Sequence, residues 1–157
     1  MIHSVCLYLH DGSWWLLMLR NKKAHDVNHG KWIGIGGKME QGETPEDCAI
    51  RETWEETRYR LCKQQLQLQG TVLFDSPMAE KEKIWVYAVD VTKRDLQPNR
   101  EGTFAWIKQD EILSLPMWEA DKVFLKEVLS GVKQPFSYVA VYDETGNLLD
   151  LKKGDEA

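Results

Sequence analysis

Three glutamates, Glu52, Glu55 and Glu56, stand three and four residues apart in the stretch RETWEE, directly after Arg51. On a helix that spacing puts the carboxylates on one face, within reach of a shared object. Like charges so placed repel, each close pair costing an isolated helix about 0.2–0.5 kcal/mol. The positions four residues after them hold Glu56, Tyr59 and Arg60, so one pair with Arg60 is available and the Glu52–Glu56 repulsion stays uncompensated. A divalent cation would resolve it. The ligands are hard oxygens with no His or Cys pair beside them, which favours magnesium, with manganese as the alternative, over zinc. Such metals clamp anionic oxygens and lower the pKa of a bound water, the chemistry of phosphoryl transfer. Ser4, Ser13 and the three cysteines have no local partner pattern for a covalent nucleophile.

The helix carrying these acids should begin at Thr44. Thr44 can cap it, Pro45 suits the first helical position, and Glu46 and Asp47 place negative charge at the positive end of the dipole. It should end between Glu56 and Tyr59. Just before it, Gly34, Gly36 and Gly37 remove side chains where backbone must approach something closely, and they read as a loop able to aim a carbonyl at a metal or an N–H at an oxyanion. Further upstream, residues 4–10 and 14–20 read as two strands around the turn Asp11-Gly12-Ser13. Residues 21–31 read as a polar loop beside the cationic cluster Arg20, Lys22 and Lys23, of which Arg20 and Lys22 are candidate substrate contacts. The segment 32–37 reads as a short strand dissolving into glycines.

Beyond the acidic helix, alternation predicts strands over 65–76, 83–92 and 102–108. Residues 109–113 read as a helical turn. A second helix follows over 118–131, with Trp118, Val123, Phe124, Val128 and Leu129 at helical spacing and Gly131 closing it. A hairpin around residues 143–147 completes the chain. The order β-β-β-α-β-β-β-α-β-β predicts an α/β fold with a mixed sheet and helices packed on it.

At 157 residues, with no repeat or low-complexity linker, the chain reads as one domain spanning 1–157. A formal charge of −5 argues against tracking along a nucleic-acid polymer, which needs a basic surface. No apolar run approaches the roughly 20 residues that span a bilayer, and the first residues lack the pattern of a signal peptide, so no membrane partner is expected. Cys6, Cys48 and Cys62, odd in number and unrelated in spacing, read as buried thiols of a protein in the reducing cytoplasm.

Gly37, five residues, Glu43, seven residues, then Arg51-Glu52-Thr53-Trp54-Glu55-Glu56 resembles the Nudix box, GX5EX7REUXEEXGU with U a bulky aliphatic residue. Six spaced positions agree. Thr53 stands where the pattern has an aliphatic residue, which weakens helix packing, and Arg58 where it has glycine, so the helix end must be made differently. The resemblance implies a Nudix-type α/β/α sandwich that hydrolyses nucleoside diphosphates linked to another group, with Mg²⁺ as cofactor. It further implies Glu56 as central metal ligand, Glu52 and Glu55 as neighbouring ligands, and the Gly36 carbonyl as a further one. Either Glu52 or a carboxylate outside the box would activate the water. Arg51 would tie loop and helix together through Glu43 and the acids, with Gly37 structural and Lys38 near the phosphates.

Residues 30–49, 100–107 and 115–129 also resemble 8-oxo-dGTP diphosphatases of the MutT type. That likeness implies Glu101 as an additional metal ligand, against the alternative of a plain turn residue. It implies Trp118 stacking on the purine and Asp121 reading its edge, against a core tryptophan and a helix-dipole partner. Glu119-Ala120-Asp121 and Ile33 depart from relatives that have paired aspartates and an amide there. The expected activity is conversion of 8-oxo-dGTP to its monophosphate and pyrophosphate, which sanitises the nucleotide pool. Broader action on other triphosphates or ADP-ribose, and a ligand sensor without catalysis, are the alternatives. The expected partner is a small nucleotide, and the assembly a monomer or homodimer.

Overall fold

A computed structural model describes residues 1–154. Strand β1 (Ile2–Asp11) turns at Gly12, φ +59°, into β2 (Trp14–Arg20). The two pair only at His10–Trp15 and Asp11–Trp14 before diverging. β1 then runs parallel to β6 (Ala79–Asp90), and β2 runs antiparallel to β7 (Gly102–Lys108).

The third expected strand is two. β3 (Trp32–Ile33) pairs with β2, and β4 (Ile35–Lys38) crosses to β1. Gly34 permits the crossing: a Cβ there would lie 2.7 Å from the Leu7 carbonyl oxygen and 2.8 Å from Cys6 Sγ. Gly36 and Gly37 are therefore strand residues inside β4, paired with Cys6 and Val5, and not a loop. Loss of side chains serves close strand approach, since a Cβ on Gly36 would sit 1.9 Å from the Val5 carbonyl oxygen.

Helix α1 (Pro45–Thr57) starts as its sequence requires, with Thr44 and Asp47 forming a reciprocal capping box and Pro45 at its first turn. It ends on Arg58 in the left-handed region, φ 63°, where the Arg58 N–H donates to the Trp54 carbonyl. Arg60 lies over the Trp54 ring at 4.4 Å. Strand β5 (Gln67–Ser76) pairs antiparallel with β6 and parallel with β8 (Phe136–Tyr142), and β9 (Leu148–Lys153) closes that edge. The sheet order is β3-β2-β1-β6-β5-β8-β9, with β4 also on β1 and β7 also on β2.

Two apolar cores flank this mixed sheet, giving the expected α/β sandwich. Cys48 and Ala49 of α1 pack with Leu7, Leu9 and Ile35. Helix α2 (Glu119–Ser130) buries Ala120, Phe124, Leu125 and Val128 against the other core. Two sequence expectations change here. Val123 is exposed, and Ala120 and Leu125 join Phe124 and Val128 on the buried face. Cys62 is exposed, lying at the start of the short 3-10 turn Lys63–Gln65, while Cys48 is buried. Among the described residues no helix is long and apolar enough to cross a membrane.

Candidate active site

Strand β4 and helix α1 bring the acidic stretch together. The Arg51 guanidinium donates to both Glu43 oxygens, at 2.7 and 2.8 Å, to Glu52 Oε1 at 2.9 Å, to Glu55 Oε2 at 3.3 Å and to the Lys38 carbonyl at 3.2 Å. One side chain so joins the end of β4, the connection into α1 and two helical acids. The hydrogen bonds from Arg51 hold the Glu43 carboxyl down at about 2. Gly37 leaves room for this arrangement, since a Cβ there would lie 2.4 Å from the Glu52 carboxyl.

Glu56 is largely buried, and one of its oxygens accepts the Gly36 N–H at 3.1 Å. The sequence pointed to the Gly36 carbonyl; the amide of the same residue makes the bond that positions Glu56. Burial, then the charges of Glu52 and Glu101, push the Glu56 carboxyl up to about 8. Burial also raises Glu52, opposed by Arg51 and reinforced by Glu55 and Glu101. Glu101, far beyond the helix in sequence, thus acts through its charge on both Glu52 and Glu56.

Among the described residues no three His, Cys, Asp or Glu side chains converge as a ready metal cage. Glu52 and Glu55 turn to Arg51, Glu56 to Gly36, and Glu101 lies 3.6 Å from Arg20. The donor chemistry nevertheless fits a hard divalent cation. Carboxylate oxygens predominate, and beyond burial the charge of Glu101 raises the proton affinity of both Glu52 and Glu56, a repulsion that a dication would remove.

A cavity of about 730 Å³ adjoins this cluster. Its walls include Arg51, Glu52, Gly36 and Glu101, and equally Trp118 and Asp121. Lys38 and Arg20 also line it. Glu55 and Glu56 do not: Glu55 is exposed beside Arg51, and Glu56 rests against the β4 backbone. Arg20 is the last residue of β2 and is engaged by Asp26 at 2.6 Å as well as Glu101, so it reaches the cavity as a paired cation. Lys22 is not among the wall residues; its side chain is exposed, and its main-chain N–H donates to the Glu101 carbonyl at 3.4 Å.

Trp118 packs on the α2 core and also lines the cavity. Its indole N–H donates to Asn28 Oδ1 at 2.7 Å, and Lys31 Nζ lies 4.4 Å from its ring centroid. Asp121 is buried, and that burial pushes its carboxyl up to about 7, offset by the charge of Lys31. Sequence reasoning missed Asn28 and Asp26. The Asp26-Val27-Asn28 spacing is the available signal: Asp26 Oδ1 accepts the Asn28 N–H at 3.1 Å, an Asx turn that shapes the loop.

The NUDIX domain family matches residues 3–128. The chain is 29% identical over 127 residues to an uncharacterized Nudix hydrolase, YvcI, of Bacillus subtilis, covering 77% of this chain and 80% of that protein. It is 29% identical over 119 residues to the oxidized purine nucleoside triphosphate hydrolase of Mus musculus, covering 74% of each. The crystal structure of a mutator MutT protein from Bacillus halodurans superposes with a TM-score of 0.83 at 24% identity over all of both chains, a likeness of fold. Members of the family generally require divalent cations. With the match spanning both the acidic helix and the strands that hold it, this chain belongs to the Nudix hydrolases, enzymes that cleave phosphoric anhydride bonds.

Proposed function

We propose that the protein hydrolyses 8-oxo-dGTP to 8-oxo-dGMP and pyrophosphate, as one domain acting in the cytoplasm. The observation that carries this reading is the shared cavity, whose walls hold Glu52 and Glu101 of the carboxylate cluster together with Trp118 and Asp121. Its volume of about 730 Å³ is of the size that encloses a small ligand. The similarity to a relative named for oxidized purine nucleoside triphosphates supports the same class of substrate.

In this reading Glu52, Glu55, Glu56, Glu101 and the Gly36 carbonyl would hold Mg²⁺, with Mn²⁺ as a substitute. The cation supplies charge neutralisation at the phosphates and an acidified water. Arg51 keeps Glu52 and Glu55 oriented and compensates their charge. Glu52, raised by burial, is suited to accept the proton of the attacking water. Lys38 and Arg20 face the phosphates, with Arg20 held in place by Asp26. Trp118 stacks on the base, its indole fixed by Asn28. Asp121, close to neutral pH in its affinity for a proton, either donates to or accepts from the purine edge.

A second reading, broader action on other triphosphates or ADP-ribose, is favoured by the composition around Asp121. Ile33 offers no amide and Ala120 no acid beside Asp121. A substrate panel with Mg²⁺ decides: 8-oxo-dGTP, dGTP, other dNTPs, ADP-ribose and dinucleoside polyphosphates. A kcat/KM no better for 8-oxo-dGTP than for dGTP sinks the sanitising assignment and leaves the broader one.

A further inference from the structure

The β8–β9 hairpin lies beyond residues 3–128, the stretch that matches the family, yet it builds part of the cavity. Tyr142, the last residue of β8, is almost fully buried and lines that cavity. Its ring meets Trp118 edge-on, centroids 5.2 Å apart at 74°, and stacks on Phe74 at 6.0 Å. Its hydroxyl accepts the Ala120 N–H at 2.9 Å. The first N–H groups of a helix have no partner within it, and a side chain at the N-cap normally takes one of them. Here the N-cap is Trp118, which makes no such bond, and the Tyr142 hydroxyl does so from 22 residues beyond Ala120 along the chain. Burial raises the Tyr142 hydroxyl above its ordinary value, and the charge of Asp121, directly after Ala120, adds to the rise.

The turn after β8 adds a second contact. Asp143 Oδ1 accepts the N–H groups of Thr145 and Asn147, at 2.8 and 2.9 Å, which stiffens it. Gly146, at φ +86°, lies so close to Trp118 that a Cβ there would be 3.4 Å from the indole ring. Tyr142 and this turn thus bound Trp118, and the same tyrosine ties down the helical turn that carries Asp121.

We infer that Tyr142 is the positioning residue of the base-binding wall, setting Trp118 and Asp121 together so that the appended hairpin governs purine recognition. The inference rests on the proposed assignment of Trp118 and Asp121 to the base. Tyr142→Phe removes the hydroxyl and keeps the ring; Tyr142→Leu removes both. Calorimetric binding of 8-oxo-dGMP and dGMP without metal reads the base wall alone, and steady-state kinetics with Mg²⁺ reads the reaction.

For Tyr142→Phe, Kd for the preferred monophosphate and KM for its triphosphate should each rise about fivefold, equivalent to about 1 kcal/mol, with kcat within twofold. Inhibition by inorganic triphosphate should stay unchanged. Tyr142→Leu should weaken base binding further. Circular dichroism and the thermal midpoint establish that each variant is folded. A Tyr142→Phe protein with a lower midpoint but unaltered monophosphate binding has lost a purely structural bond, and the inference is then wrong. Wild-type protein that binds neither monophosphate refutes the base-wall assignment itself, and the inference with it.

Discussion

Replacing Glu56 with glutamine separates the electrostatics of the acidic cluster from its shape. The Glu56 carboxyl is raised from 4.5 to about 8 by burial and by Glu52 and Glu101. At 1.36 kcal/mol per pH unit the separation corresponds to about 5 kcal/mol, and solvent reaching this incompletely buried group should leave roughly half of it. The folded protein holds a proton on Glu56 that the unfolded chain has released, so stability falls as pH rises between about 4.5 and about 8. The stabilisation is fully present below that window and lost above it. Glutamine cannot ionise and keeps a carbonyl for the Gly36 N–H. Urea denaturation of both proteins in EDTA, from pH 5 to 9, should therefore show wild type losing about 2–3 kcal/mol more than Glu56→Gln. Adding Mg²⁺ at pH 8 to ten times its Kd should restore about 1.4 kcal/mol to wild type and little to the variant. Activity with Mg²⁺ should fall at least about 100-fold in Glu56→Gln. Parallel pH curves would show that Glu56 is an ordinary carboxylate, and equal stabilisation by Mg²⁺ would remove it from the metal site.

Two further substitutions address the departures from the Nudix pattern. Arg58→Gly relieves a non-glycine residue at φ 63° at the cost of the Arg58–Trp54 contact, and should raise stability by about 0.5–1 kcal/mol in denaturant titration with kcat unaltered. Thr53 is fully buried, and its Oγ1 has no hydrogen-bond partner among the described residues, so Thr53→Val should stabilise α1 by about 1 kcal/mol by the same measurement. Gly37→Ala drives a methyl group to 2.4 Å from the Glu52 carboxyl and should lower kcat about tenfold or more while KM changes little, read by steady-state kinetics.

Helix α1 was legible because its determinants are local. Thr44, Pro45 and Asp47 lie within one turn, and the facing of Glu52, Glu55 and Glu56 follows from helical pitch alone. The ends of α1 also tested the sequence: Arg58 takes up the left-handed cap that glycine would occupy, so the helix stops in the same place at a conformational cost. The glycines were harder to read. The sequence shows that Gly34, Gly36 and Gly37 lack side chains, but the reason lies in Leu7, Val5 and Glu52, which approach them only once β4 has crossed to β1.

Residue type and spacing along one helix therefore determined the reaction class: a pitch set by local backbone hydrogen bonding places the acids on one face whatever surrounds them. Tertiary structure decided how those acids are held and what meets them. Arg20 is committed to Asp26 and Glu101, Lys22 falls away from the cavity, Asn28 reaches Trp118 across 90 residues, and Tyr142 caps a helix 22 residues before it. Such contacts depend on the order of strands in the sheet. Burial then raises the proton affinity of Glu56 and Asp121, since water leaves a carboxylate only where the whole fold closes over it.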